Sequence, residues 1–472
     1  MAKPRLQYVC QQCGALHGKW AGRCSQCNTW NSINRDPTPV AAHKLGGRSA
    51  HKGTAVAMHT LHGESTPPPR LASGIKELDR VLGGGIVTGS AVLLGGAPGI
   101  GKSTLLLQLT YTLAKNNIAT AYFTGEESIE QIRMRAQRLG MLDGKSTSTT
   151  SPLPIRLASA TNTEDICAAI ESDPPPVVII DSIQTMYLPQ IDSVPGSVNQ
   201  IRGSAFELIR VAKEKGVAVI LTGHITKEGM IAGPKLLEHM VDTVLYFEGD
   251  ANHHFRILRG SKNRFGATDE IGVFDMQSGG LMEVANPSQL FLEGHKDKSA
   301  GAVVFAGMEG SRPILVEIQA LVAPSVMANP RRNVVGWDAH RLAMLTAVLE
   351  TRGRVALSQH DIFLNVAGGV RINEPAADLA VATALLTSLQ GSAPPSGAVF
   401  FGEVGLSAET RRVAYPELRL KEAAKLGFTR AIMPMDDKAA AAGIATSQIG
   451  TLKELVAVLE DNSNGKGKGK AR

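Results

Sequence analysis

From residue 71 onward the chain alternates short apolar runs with stretches of helical period. Residues 91–94, 120–124, 177–180 and 217–221 are apolar-rich runs too short for a helix but long enough for a strand buried on both faces. Between them, segments such as 105–115 repeat apolar residues at helical spacing and predict covering helices. Strand-helix alternation of this kind predicts an α/β core with a mainly parallel sheet and helices on both faces. Two further runs, 241–247 and 255–259, alternate with period two and predict an antiparallel extension of that sheet. Residues 139–154, rich in Ser, Thr and Pro, predict a surface excursion.

The pattern changes after about residue 286. Strand runs at 302–305 and 314–319, long helices at 338–349 and 376–389 and a closing helix at 452–459 predict a second, α+β domain. Residues 36–70 mix Pro, Ala, Gly, Thr and His without a sustained period and predict a linker, in which His43, His51, His59 and His62 lack ligand spacing. The expected division is 1–35, 36–70, 71–285, 286–460 and a basic tail at 461–472, where glycines alternate with Lys466, Lys468 and Lys470. That tail reads equally as a solubilising end or as a weak phosphate contact. With no apolar run near 18 residues and no apolar signal core at its start, the chain is expected to be cytoplasmic and without a membrane span. A net charge of +6 is compatible with nucleic acid without requiring it.

Candidate chemistry sharpens this picture at residues 95–104, Gly95-Gly96-Ala97-Pro98-Gly99-Ile100-Gly101-Lys102-Ser103-Thr104. Gly96, Gly101, Lys102 and Ser103 match the phosphate-loop spacing G-x-x-x-x-G-K-[ST]. Glycines let backbone N–H groups turn toward phosphates, Lys102 reaches the β/γ-oxygens of ATP, and the Ser103 hydroxyl suits Mg²⁺. The run 177–180 ends in Asp181, the acid expected to hold Mg²⁺ through water. After the run 120–124 come Glu126 and Glu127. Glu126 is the preferred base toward water and Glu127 the second choice, one of the two serving only as a charge at a helix N-terminus. His224, at the end of another run, stands either as a γ-phosphate sensor or as a structural histidine.

Four of the five cysteines form Cys10-x-x-Cys13 and Cys24-x-x-Cys27, the spacing of a tetrahedral zinc site, with disulfides as the competing reading. The fifth, Cys167, lies in an amphipathic helical pattern and is expected to be buried. Trp20 and Trp30, beside the cysteines, either pack the small module or stack on a partner, packing being the default reading.

A third signature joins the cysteine pairs and the phosphate loop: Lys262-Asn263-Arg264-Phe265-Gly266. Together the three resemble the bacterial RadA (Sms) family of recombination and repair ATPases. The resemblance implies a RecA-like P-loop ATPase core, an N-terminal C4 zinc finger and a C-terminal α+β domain similar to the Lon protease domain. It also implies a homo-hexameric ring that binds single-stranded and branched DNA, drives branch migration, works with a recombinase of the RecA type and a replicative helicase, and is associated with the nucleoid. Lys262 and Arg264 would couple ATP to DNA, reaching a neighbouring subunit's nucleotide. Loops at 186–203 and 226–236 would contact DNA. In the Lon-like segment Asn373-Glu374-Pro375-Ala376-Ala377-Asp378, Ala376 falls at the nucleophile position and Arg419 near the lysine position. This disfavours an ATP-dependent protease and leaves the domain to build the ring or a basic surface with Arg331, Arg332, Arg341, Arg352, Arg354 and Arg371. A nucleotide-switched DNA scaffold without motor activity is the other alternative.

Overall fold

Alternation within one strand decides which helices cover which face of the central sheet. In β6 (Ala91–Gly96) every residue is buried. Val92 and Leu94 pack with Leu105, Leu106, Leu109 and Leu113 of α2 (Lys102–Lys115), while Ala91 and Leu93 pack with Ile166 and Ile170 of α4 (Thr163–Ser172) and with Ala205 and Leu208 of α5 (Val198–Lys215). Side chains two apart point the same way, so a continuous apolar run feeds two separate cores.

The computed structural model describes residues 8–10, 15–17, 19–27, 29–35, 67–142, 153–224, 236–249, 255–268, 270–292, 299–327, 329–436 and 443–465. They fall into two compact units, one within 1–248 and 257–283, the other within 249–256 and 284–472. None of the described helices is long and apolar enough to cross a membrane.

In the first unit, β1 (Tyr8–Cys10), β2 (Leu16–His17) and β3 (Ile33–Arg35) form a small antiparallel sheet with the order β2-β1-β3. A short pair, β4 (Arg70–Leu71) and β5 (Ile86–Val87), brackets α1 (Lys76–Val81). The main sheet then adds β7 (Thr120–Thr124), α3 (Ile129–Arg138), β8 (Ile155–Ser159), β9 (Val177–Asp181), β10 (Ala218–His224), α6 (Leu236–Met240), β11 (Thr243–Glu248), β12 (Phe255–Asn263), β13 (Ile271–Gln277) and β14 (Gly280–Glu283). Its order is β14-β13-β12-β11-β6-β10-β9-β7-β8. The six strands from β11 to β8 are parallel.

β11 corrects one expectation. It runs parallel to β6, and the antiparallel pairing begins only at β12. Period two identifies a half-buried strand but carries no direction. α5 also starts at Val198, so the expected loop at 186–203 is shorter than its sequence suggests. Gln200, buried in α5, bonds Leu188, Ile191 and Ser193 and fastens what is left of that loop. Most of the excursion at 139–154 and nearly all of the second loop, at 226–236, lie outside the described residues, as do linker residues 36–66 with their four histidines and the end of the basic tail.

The second unit contains α7 (Pro287–Phe291), β15 (Ala302–Glu309), β16 (Arg312–Pro324), β17 (Arg332–Val335), α8 (Ala339–Thr351), β18 (His360–Val366), α9 (Asp378–Gln390), β19 (Ala398–Phe400), β20 (Glu403–Val404), β21 (Thr410–Arg411), α10 (Pro416–Lys425), β22 (Arg430–Pro434), β23 (Ala445–Ile449) and α11 (Leu452–Gly465). Seven of its strands form one mixed sheet in the order β17-β18-β16-β15-β19-β22-β23. α9 is almost wholly buried.

Candidate functional site: a phosphate loop at the strand ends

The parallel strands end together. His224 of β10 pairs with Gly96 of β6, and Thr124 of β7 pairs with Asp181 of β9, so the residues after these strands share one edge of the sheet. Here the phosphate loop turns into α2, whose N-terminal N–H groups and dipole favour an anion. Gly101 makes that turn at φ 115°, in the left-handed region, and a Cβ there would stand 2.8 Å from Met276 Cε.

Lys102 is buried, and its ammonium donates to the carbonyl oxygens of Gly96 (2.8 Å) and Ala97 (3.0 Å) and to His224 Nδ1 (3.3 Å). Burial lowers its pKa, against the pull of Asp181 and Glu126. An ammonium can only donate, so His224 Nδ1 accepts, and His224 Nε2 donates its N–H to Glu126 Oε1 at 2.9 Å. The Ser182 hydroxyl donates to the same oxygen. Burial pushes the Glu126 carboxyl upward, but the bonds from Ser182 and His224, with the charge of Lys102, outweigh it and hold the pKa below its ordinary value. Glu127 faces elsewhere. Its carboxylate pairs with Arg135 of α3, and its backbone is clasped by the Thr124 hydroxyl. Gly125, just before the pair, sits so close to Thr185 that a Cβ would overlap its hydroxyl at 2.1 Å.

Asp181 is nearly buried. Its Oδ1 accepts from the Thr222 hydroxyl (2.8 Å) and its Oδ2 from the Tyr122 hydroxyl. Burial, then the Asp181 charge, raises the Tyr122 pKa well above the usual phenol value, so Tyr122 stays a donor. Both of these partners are neutral, and they leave a full negative charge at the strand end, as a dication requires. Ser103 and Thr104 follow Lys102 in the first turn of α2. Tyr122, Thr222 and Ser182 are site residues that no sequence motif singles out. The one available signal is a polar group inside each of two strands that otherwise read as apolar.

Lys262 and Arg264 lie away from this site. Lys262 of β12 pairs with Val244, itself opposite Leu93, and its ammonium donates to the carbonyls of Glu238 (2.6 Å) and Val241 (2.8 Å). Burial and then Arg264 lower its pKa. Arg264 Nη1 meets Asp242 Oδ1 at 3.0 Å, Lys213 shares that oxygen at 3.3 Å, and Asp242 Oδ2 accepts the N–H of Ala91 at 3.0 Å. Ala91 begins β6 and Gly96 ends it. The Arg264 anchor therefore stands about 16 Å along the strand from the chain's own phosphate loop.

In the small sheet, the sulfurs of Cys10, Cys24 and Cys27 lie within 4.8 Å of one another. Cys10 Sγ and Cys27 Sγ are 3.6 Å apart, close to the ~3.8 Å edge of a tetrahedron with Zn–S bonds near 2.3 Å. His17 Nε2 is 3.4 Å from Cys24 Sγ. Cys13, expected as the fourth ligand, lies outside the described residues. Trp20 and Trp30 do not pack the module as expected: they are 61% and 68% exposed, because Cys10, Cys24 and Ile33 already fill its small interior. Cys167 is buried, as its helical pattern predicts, and burial pushes its thiol up to about 11.

In the second unit, Ala376 is buried in the turn before α9, and its carbonyl accepts from Gly402 N. Arg419 is wholly buried. It donates to Ala306 O (2.8 Å), Ala414 O (2.9 Å) and the Glu374 carboxylate, and lies over the Phe401 ring. The segments holding Ala376 and Arg419 thus meet through Glu374. Of the arginines expected to form a basic surface, Arg341 is instead bidentate to buried Asp378 (2.5 and 2.6 Å), and Arg332 is held by the carbonyls of Leu357 and His360. Arg331, Arg352, Arg354 and Arg371 are exposed.

A phosphate loop between a buried parallel strand and a helix, with acids at the neighbouring strand ends, defines a nucleotide-binding, ATP-hydrolysing enzyme of the RecA-like class. The KaiC ATPase family model matches residues 71–269, and the rubredoxin metal-binding-domain model matches residues 8–35. Among relatives, the DNA repair protein RadA of Brucella abortus (strain 2308) is 55% identical over 92% of both chains, and that of Bacillus subtilis (strain 168) is 47% identical over 92% of this chain and 93% of its own. The chain belongs to the RadA family of DNA repair ATPases. Among solved structures, a KaiC-like protein from Pyrococcus horikoshii OT3 aligns at TM-score 0.37 and 22% identity, over 46% of this chain and all of its own. A DnaB-like replicative helicase aligns at TM-score 0.39 and 16% identity, over 47% of this chain and 63% of its own.

Proposed function

We propose that the chain is an ATP-driven motor that binds single-stranded and branched DNA and drives branch migration of recombination intermediates. The observation that carries the reading is the ~16 Å separation between the Arg264 anchor and the chain's own phosphate loop. An arginine side chain does not span that distance, so a role for Arg264 at a triphosphate requires the loop of a second copy. Head-to-tail copies each lending such a cation close into a ring, here a homo-hexamer, and make hydrolysis depend on assembly. The RadA family membership supports DNA as the track, a recombinase of the RecA type and a replicative helicase as partners, and the nucleoid as the place of action.

Within the site, residues 95–104 cradle the phosphates, with Lys102 moving from its carbonyl acceptors to the β/γ-oxygens. Asp181 and Ser103 hold Mg²⁺, which neutralises charge on the phosphate oxygens when bound. Glu126, kept ionised by Ser182 and His224, takes a proton from the attacking water. Lys262 couples this chemistry to DNA. Zinc sits on Cys10, Cys13, Cys24 and Cys27. The second unit, read as a Lon-like domain, contributes assembly; Ala376 supplies only a methyl group where a protease would need a nucleophile.

The test mixes two variants. Lys102→Ala and Arg264→Ala chains each lose DNA-stimulated ATP hydrolysis and branch migration of a three-strand intermediate, and their mixture recovers part of both. Failure of the mixture to recover, with assembly intact, refutes action across subunits. Hydrolysis and DNA binding without migration in the wild-type protein would make it a nucleotide-switched scaffold instead.

A further inference from the structure

We propose that the zinc ribbon, residues 8–35, is a single-stranded nucleic-acid binding module in which Trp20 and Trp30 stack on bases and Lys19 and Arg23 meet the phosphates. The inference rests on the DNA-acting reading above only for the identity of the strand.

Three observations carry it. First, two tryptophans stand exposed on a module of under thirty residues. Exposing an indole forfeits a large apolar burial, and one such residue on a small domain is an ordinary accident where two call for a partner. Second, Trp30 is already arranged as a platform. Its ring lies over Gly22, where a Cβ would stand 3.7 Å from the indole, and the Arg23 guanidinium lies 5.8 Å from the ring centroid. One face is thereby supported by the module, and at 68% exposure the rest of the ring is open to a second planar group. Third, residues 1–35 contain Lys3, Arg5, Lys19, Arg23 and Arg35 and no Asp or Glu. Of these, Lys19, Arg23 and Arg35 lie within residues 8–35; a zinc ion on four thiolates carries two negative charges, so the loaded ribbon keeps a net charge of about one positive, with Lys3 and Arg5 preceding it in sequence. Lys19 and Arg23 are exposed beside the two tryptophans.

Aromatic faces interleaved with cations are the requirement for gripping a single strand without reading its sequence, because every base has a π-face and every nucleotide a phosphate. A duplex hides those faces in its own stack. A protein partner of matching chemistry would need an acidic, apolar surface, and the absence of any acid on the ribbon gives such a partner no reciprocal ion pair to fix its orientation. The strand is therefore the occupant the ribbon fits.

The third tryptophan, Trp337, is buried in the other unit. Quenching of intrinsic tryptophan fluorescence in the full-length protein therefore reports on the ribbon. A short dT oligomer is expected to quench it, and an abasic oligomer of the same length, binding through phosphates alone, is not. Trp20→Ala and Trp30→Ala should each weaken dT binding by about fivefold or more. Trp20→Phe and Trp30→Phe, which keep a ring, should retain most of the affinity. Lys19→Ala should lower the slope of log affinity against log salt by about 0.7. Zinc stoichiometry and ATP hydrolysis without DNA should stay at wild-type levels throughout. A doubly substituted Trp20→Ala/Trp30→Ala protein that keeps its zinc and binds dT as tightly as wild type overturns the proposal and leaves the motor reading standing. Normal DNA binding by that protein together with lost association with a recombinase of the RecA type overturns it equally. A wild-type protein that binds neither oligomer at low ionic strength defeats both readings.

Discussion

Replacing Glu126 by Gln removes one charge from the site and little else. The amide oxygen still accepts from Ser182 and from His224 Nε2, so the geometry around Lys102 is retained, and nucleotide affinity should change by less than about threefold. What is lost is the proton acceptor. A positioned general base contributes about 10² to 10⁴ in rate, or roughly 3 to 5 kcal/mol of barrier, so kcat should fall by that factor while KM barely moves. Glu127→Gln is the control. Glu127 is spent on Arg135, and its loss should cost less than about tenfold. Steady-state ATP hydrolysis with DNA present, beside nucleotide binding by fluorescence, measures both. The pH profile gives a second reading. Glu126 has its pKa depressed in the folded protein, so its ionised form, and the stability it adds, is present above the ordinary carboxylate range and is lost as pH falls through the depressed value. Ser182→Ala removes one of the contributions that lower it and should shift the acid limb of kcat to higher pH. A Glu126→Gln enzyme with more than a tenth of wild-type kcat, or a Glu127→Gln enzyme equally impaired, refutes this assignment.

Three other outcomes are expected. Tyr122→Phe unties one oxygen of Asp181, and the Mg²⁺ concentration for half-maximal activity should rise several-fold, with Mn²⁺ titration of the ADP complex showing the same loss; an unchanged metal dependence would mean Thr222 alone orients the carboxylate. Cys27→Ser should reduce bound zinc from near one per chain, measured by metal analysis, since three thiolates hold the ion less well than four. Arg341→Ala strands the fully buried carboxylate of Asp378 and should destabilise the second unit by about 3 to 5 kcal/mol in denaturant unfolding; a loss below about 1 kcal/mol would show that Val404 N and relaxation suffice.

The parts of the site that sequence makes legible are those whose chemistry is local. A phosphate loop needs its glycines, lysine and hydroxyl at fixed spacing, so the motif and its strand-loop-helix setting can be read together, and the acid at the end of 177–180 follows from the same logic. Choices that depend on register cannot be read. Glu126 and Glu127 are adjacent and chemically alike; Arg135, eight residues on from Glu127, Ser182, just past β9, and His224, at the end of β10, separate them. The direction of β11 is set by where α6 returns the chain and leaves no mark on its period. Tyr122 and Thr222 look like ordinary strand residues until β7, β9 and β10 lie side by side. The exposure of Trp20 and Trp30 is likewise hidden, because apolar character says nothing of the volume available: among the described residues the ribbon's small apolar interior is formed by Cys10, Cys24 and Ile33.

Asp242 has a consequence for how easily Arg264 can be borrowed by another molecule. A buried carboxylate with a single cation is a trap, since withdrawing the cation abandons a charge in a poorly solvated place. Asp242 instead keeps company with Lys213 as well, and with an amide of the strand that carries the phosphate loop. Were Arg264 drawn away, its former host would keep Lys213 and the amide of Ala91 as partners. Lys213 thus acts as a standing deputy: a chain without it would hold its arginine at home.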